Sequence, residues 1–187
     1  MSEHKPIRVL ILATSGYEES ELFVPRQVLS EAGMSVKLAS PSMQPINGVI
    51  YNASDGKHNE SQNFITPDLA LDEVNSSDYD ILVVPGGLSN PDRLRMEPRA
   101  VAIAKDLMAA NKVVASICHG PWLLVETRML KGKRMTGWYS IRTDLENAGA
   151  TVLDETVVID GNLITSRKPS DLPAFTAAII KTATSRT

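Results

Sequence analysis

Short apolar runs recur along the chain, each followed by a stretch with turn or helix character. "RVLILA" (Arg8–Ala13), "SVKLAS" (Ser35–Ser40), "DILVVPGG" (Asp80–Gly87) and "KVVASI" (Lys112–Ile117) are these runs. Unbroken apolar segments of this length suit strands buried on both faces, as in a parallel sheet. Between them lie "ELFVPRQVLSEAG", stopped by Gly33, a stretch opening at Asn90 and Pro91 and running to about Ala110, and "HGPWLLVET". These read as helices, with Asn90 as an N-cap and Pro91 in the first turn. Alternation of this kind predicts an α/β fold with a mainly parallel sheet covered by helices on both faces.

The rest of the chain continues the pattern. "SIRTDLENAGA" reads as helical, "TVVIDGNLITS" as a hairpin turning at Asp160-Gly161, and a last helix runs from about Asp171 to Ala183, capped by Ser170 or Asp171. Pro41 to Ser77 is rich in Asn, Ser and Gly and predicts only short strands and turns. No repeat, low-complexity segment or linker divides the chain. Its 187 residues, 43% apolar and 22% charged, predict one domain over 1–187 with a sizeable core.

Charge and cysteine usage narrow the function classes. A net charge of -3 with no Lys/Arg cluster argues against nucleic-acid binding. No apolar stretch approaches the roughly 20 residues that span a bilayer, and the N-terminal apolar run is short for a signal sequence. One cysteine precludes an internal disulfide, so a cytoplasmic location is expected. No Cys/His cluster points to zinc, and no cofactor is called for.

In open α/β sheets ligands sit beyond the carboxyl ends of the strands. Two segments fall there: the Pro-Gly-Gly ending at Gly87 and the Cys-His-Gly at Cys118. The strand Lys112–Ile117 runs straight into Cys118, and "SICHGP" places Ser116 and Gly120 two positions to either side. Small neighbours at those positions are what a nucleophile elbow needs, the apex residue being held in a strained conformation. Pro121 then suits a first helical turn. A helix start favours an anion, and lowering a thiol's pKa by about two units (roughly 2.7 kcal/mol) would make most of it thiolate. The alternative is a structural cysteine ending a core strand.

Three histidines could activate Cys118: His4 in the N-terminal segment, His58 in the poorly patterned region, and His119. His119 is the best placed, although a residue adjacent to the nucleophile often points away; a surface or subunit-contact histidine is the other reading. Glu21 shares a helical stripe with Val24, Pro25 and Val28, so its carboxyl is either partly buried, with a raised pKa, or a solvated helix-start charge. Glu18 and Glu19 look like ordinary first-turn acids. The Gly87 and His119 amides could form an oxyanion hole, or Gly86-Gly87 could be a plain turn. Asp92 has helix-start electrostatics as its default role.

"ASICHGPWLL" closely resembles the nucleophile segment of the ThiJ/PfpI family, and "YEESELFVP", "DILVVPGG", "GKRMTGW", "LENAGA" and "LITSRKPSDLPAF" resemble other family segments in the same order. The resemblance implies a flavodoxin-like three-layer sandwich with Cys118 at the elbow. It matches Glu21 to the glutamate that hydrogen-bonds the cysteine, and His119 to the histidine of the peptidase-like branch. In that branch an acid from a neighbouring subunit completes a triad; Asp92 falls at that position, with Asp for Glu in a loop one residue longer. A homodimer or higher homo-oligomer with an intersubunit site follows.

Three functions are thereby expected in order. The first is a cysteine-dependent, stress-protective enzyme acting on small α-oxoaldehydes or their protein adducts, of glyoxalase or deglycase type. The second is an intracellular cysteine peptidase acting on peptides. The third is a redox-sensing or chaperone-like protein with an oxidisable cysteine.

Overall fold

In the computed structural model, which describes residues 5–185, the chain runs through β1 (Arg8–Leu12), β2 (Tyr17–Glu18), α1 (Glu19–Glu31), β3 (Ser35–Ser40), β4 (Ile46–Asn52), β5 (Lys57–Ile65), β6 (Leu69–Ala70) and β7 (Ile81–Val84). It continues through α2 (Ser89–Leu94), α3 (Pro98–Ala109), β8 (Val113–Ile117), α4 (Pro121–Glu126), β9 (Arg134–Met135), α5 (Arg142–Asn147), β10 (Thr151–Val152), β11 (Val157–Asp160), β12 (Leu163–Ser166) and α6 (Leu172–Thr184). Seven strands form one sheet in the order β11-β12-β8-β7-β1-β3-β6. All neighbours are parallel except β11, which pairs antiparallel with β12 through the turn at Asp160-Gly161.

Alternation along the strands divides the core in two. Leu10, Leu12, Leu82, Val84 and Val114 face α3 and α4, packing with Ile103, Leu107, Leu123 and Leu124. Val9, Ile11, Ile81, Val83 and Ile117 face α1 and α6, packing with Leu22, Leu29, Phe175 and Ile179. Every residue of β7 is buried, which is why its sequence is an unbroken apolar run rather than an alternating one. The architecture is a flavodoxin-like three-layer sandwich. No helix among the described residues is long and apolar enough to cross a membrane.

Two expectations need correction. The helix expected from Asn90 to Ala110 is two helices, broken between Arg95 and Glu97, because Pro98 disfavours helical backbone in the residue before it. Asn90 is not an N-cap but lies inside α2, fully buried. The stretch Pro41 to Ser77 holds a long hairpin: β4 pairs antiparallel with β5 and parallel with β2. This hairpin stands at the carboxyl end of the main sheet, joined to it through the short β2 that follows β1.

Candidate active site

Chain order places the site. From β1 the sheet grows outward through β3 on one side and resumes with β7 and β8 on the other, so a crevice opens beyond the carboxyl ends of these central strands. β7 ends in Pro85-Gly86-Gly87, β8 ends at Cys118, and the segment after β1 leads into α1 with Glu21 in its first turn.

Cys118 has φ of +60°, a left-handed conformation that costs a non-glycine residue about 1–2 kcal/mol. The elbow is tight enough that a side chain at Gly120 would lie 2.5 Å from Ser116 Oγ and 2.5 Å from the Val84 carbonyl. Ser116 Oγ itself donates to that carbonyl at 3.3 Å. The small residues flanking the cysteine are thus required by close approach of β8 and β7.

Cys118 is 5% exposed, and the backbone amides of His119 and Gly87 both donate to its sulfur. Gly87 has φ of +77° and packs against the backbone of Gly16 and Glu18, which leaves no room for a side chain. The two amides pull the thiol's pKa down. Burial first, and then the charge of Glu21, push it up more strongly, so the net direction is well above the ordinary thiol value. The lowered pKa expected from a helix start does not emerge: α4 is only six residues long, and the corner is nearly dry.

Glu21 is fully buried on α1 together with Leu22, Pro25 and Leu29, whereas Val24 and Val28 of the expected stripe are only half-buried, so the buried face is turned toward Leu22 and Leu29. Oε2 accepts from the Gly86 amide at 2.7 Å, whereas Oε1 is buried without a conventional hydrogen-bond partner. Burial, and then the carboxylate of Glu18, raise the Glu21 pKa well above the usual carboxyl range. The Cys118 thiol is the neighbour with which it interacts. Two adjacent groups that are both costly to ionise share their protons, and they do not both carry charge.

Glu18 is not an ordinary first-turn acid. It caps α1, is 4% exposed, and its carboxylate accepts from Ser20 Oγ at 2.5 Å, the Glu21 amide at 3.1 Å and the Tyr51 amide at 3.4 Å. Glu19 turns instead to Ser61 and Asn63 on the hairpin.

His119 does not turn away. Its Nδ1 stands 3.3 Å from Cys118 Sγ, and its Nε2 is 3.4 Å from Ser140 Oγ. Burial, helped by nearby His58, lowers its pKa from 6.5 to about 4, so the ring is neutral at pH 7. It stacks on Trp138 at 5.8 Å and 27° and meets Trp122 edge-on at 5.4 Å. Tyr51 from the hairpin packs on both Trp138 and His58. His58 is therefore part of an aromatic roof over the site, while His4 lies outside the described residues.

Asp92 sits on α2, exposed, and makes no side-chain hydrogen bond or ion pair among the described residues. Within one protomer it does not meet His119. Asn90 does help build the site: Nδ2 donates to the carbonyls of Pro85 and Gly86 at 2.9 and 3.1 Å, and Oδ1 accepts from the Thr14 amide at 2.7 Å. It ties the Pro-Gly-Gly turn to the end of β1. Among the described residues no group of three His, Cys, Asp or Glu side chains is arranged to hold a metal. A cavity of about 500 Å³ at the opposite, amino end of the sheet is lined by Arg8, Asp80 and Val113 and touches none of these groups.

The model of the DJ-1/PfpI family matches residues 7–182. The chain belongs to the DJ-1/PfpI family. It is 40% identical over 175 residues to the deglycase PfpI of Pyrococcus furiosus, covering 94% of this chain and 98% of that one. It is 40% identical over 169 residues to general stress protein 18 of Bacillus subtilis, covering 90% and 92%. Among solved structures, Drosophila melanogaster DJ-1beta superposes with a TM-score of 0.81 at 28% identity, over 95% of this chain and 90% of that one. The DJ-1/PfpI likeness thus spans the sheet, the elbow and the segment bearing Glu21.

Proposed function

We propose that the protein is a cysteine-dependent enzyme that converts small α-oxoaldehydes, or frees amines and thiols from their α-oxoaldehyde adducts. One observation carries this reading: Cys118 is held at a strained corner between two backbone amides, beside a buried glutamate and a neutral histidine. Relatives named deglycase support it.

Cys118 is the nucleophile. As its sulfur bonds to the aldehyde carbon, the thiol proton passes to His119 Nδ1 or the Glu21 carboxylate. The carbonyl electron pair moves to oxygen, which the Gly87 and His119 amides stabilise until it is protonated. Glu21 and His119 then move the carbon-bound proton of the hemithioacetal to the neighbouring carbonyl carbon, through an enediol, leaving a hydroxyacyl thioester. Water cleaves the C–S bond, releasing a 2-hydroxy acid and the free thiol. With an adduct as substrate, its hydroxyl gives up a proton and re-forms the aldehyde C=O as the bond to nitrogen or sulfur breaks; the protonated amine or thiol leaves, and Cys118 then adds to the aldehyde. Purified protein should convert methylglyoxal to lactate, and Cys118→Ala should lose that turnover; full retention overturns the reading.

A second reading is a peptidase whose triad of Cys118, His119 and Asp92 spans two subunits of a homo-oligomer. In one protomer His119 Nε2 meets a serine and no acid, while Asp92 stands exposed and unpaired among the described residues, which favours supply of the acid by a neighbour. Casein cleavage should then vanish in both His119→Ala and Asp92→Ala and partly return when the two inactive variants are mixed. Cleavage that survives Asp92→Ala removes it.

A further inference from the structure

A cavity of about 450 Å³ is lined in part by Trp138, the ring that stacks on His119. This volume suits a ligand the size of an amino acid. Tyr51, Trp138 and Tyr139 give it aromatic walls, Tyr139 being 69% exposed and Trp138–Tyr139 packing at 4.8 Å. Four charged residues also line it, Arg142, Arg167, Lys168 and Asp154, beside the uncharged Ala53, Pro169 and Ser170.

The charges do not balance. Arg167 is held by Asp171 through Nε–Oδ2 at 2.9 Å and Nη2–Oδ1 at 3.1 Å. Asp154 is shared by Arg142 at 2.7 Å and Arg167 at 2.9 Å. Three cations therefore face two carboxylates, leaving one positive charge. Lys168 is exposed, and its ammonium has no hydrogen-bond or ion-pair partner among the described residues. Arg142 Nε has no partner either. An aromatic-walled cavity with a surplus cation fits a carboxylate on an apolar stem.

Trp138 links this cavity to the chemistry, since it stacks on the ring whose Nδ1 stands 3.3 Å from the reactive sulfur. We propose that the cavity is a subsite for the amine- or thiol-bearing half of an α-oxoaldehyde adduct, holding that half by its carboxylate. The carboxylate lies against Lys168 and Arg142, and the stem rests on Trp138 and Tyr139. Resting on the deglycase reading, this narrows the substrate to adducts of free amino acids, small carboxylate-bearing thiols or chain-terminal residues, rather than residues within a chain.

Two measurements test the subsite. In Cys118→Ala, which lacks the proposed nucleophile, S-methyl-N-acetylcysteine and its amide are titrated against tryptophan fluorescence. The acid should bind at least about tenfold more tightly than the amide, and Lys168→Glu, at an exposed position outside the core, should remove that preference. In wild type, the ratio of kcat/KM for the N-acetylcysteine hemithioacetal of methylglyoxal to that for its amide counterpart should fall about tenfold in Lys168→Glu. Equal affinity for acid and amide, no binding of either, or a preference that survives Lys168→Glu overturns the subsite. Loss of turnover in Cys118→Ala bears on the reaction alone and stands whichever of those results is found. Conversely, acid-selective binding together with turnover retained in Cys118→Ala supports the subsite and overturns the reaction.

Discussion

The Gly86 amide donates to Glu21 Oε2 at 2.7 Å, and the hydrogen where a side chain would be is what lets Glu21 and Cys118 stand together. A Cβ on Gly86 would lie 2.6 Å from Cys118 Cβ and 2.6 Å from Glu21 Oε2. Gly86→Ala should therefore push the Cys118 thiol and the Glu21 carboxyl apart, lowering kcat by at least about a hundredfold and stability by about 1–3 kcal/mol. Steady-state kinetics and urea unfolding read both; unchanged kcat contradicts the close packing.

Glu21 raises the Cys118 pKa by its charge and by its hydrogen bond. Removing the charge in Glu21→Gln should move the pH midpoint of Cys118 alkylation downward. Iodoacetamide labelling rates across pH measure this. A midpoint that stays put or rises would show that Glu21 carries no charge in the resting site.

The left-handed backbone at Cys118 predicts an inverted stability order. At an ordinary strand or helix position Ala is more stable than Gly, but at φ of +60° Gly is relieved of the Cβ clash. Cys118→Gly should be more stable than Cys118→Ala by about 1 kcal/mol, with both inactive. Chemical denaturation midpoints decide it, and the reverse order would mean the corner relaxes when the sulfur is lost.

His119 titrates near 4 when folded, against an ordinary 6.5. The unfolded chain then binds a proton that the folded one refuses, so stability present above pH 6.5 is lost as pH falls toward 4. The loss is on the order of 3 kcal/mol. His119→Gln cannot titrate, so its melting temperature should fall less than that of wild type between pH 7 and pH 4.5. Parallel declines would place the histidine's proton affinity near normal.

The meeting of Cys118 and Glu21 at one corner was legible because each of them breaks a local rule. A carboxylate stands on an apolar helical stripe, and a cysteine stands where a strand meets a helix without a loop. The strands were legible because full burial leaves no polar residue in Ile81–Val84. The roof was not. Only Ser61 of β5 is buried, so "KHNESQNFI" carries no period that marks a strand. Trp138 and Tyr51 join His119 only through the tertiary fold. Asn90 precedes a proline and so resembles a cap, and nothing local reveals that its amide bridges two strand ends. Glu18 misled for a similar reason: Glu18 and Glu19 look interchangeable at a helix start until the fold buries one of them.

The hairpin of β4 and β5 also sets apart what the corner does from what it admits. The Cys118 thiol, the Gly87 and His119 amides and the buried Glu21 carboxyl all come from the ends of central strands and the first turn of α1, where backbone fixes every position. Part of the covering aromatic surface, Tyr51 and His58, arrives on a separate two-stranded flap fastened by Glu18 and Glu19, and packs on Trp138. Grafting a different flap between Ile46 and Ile65 offers a route to new selectivity with the reactive machinery left intact.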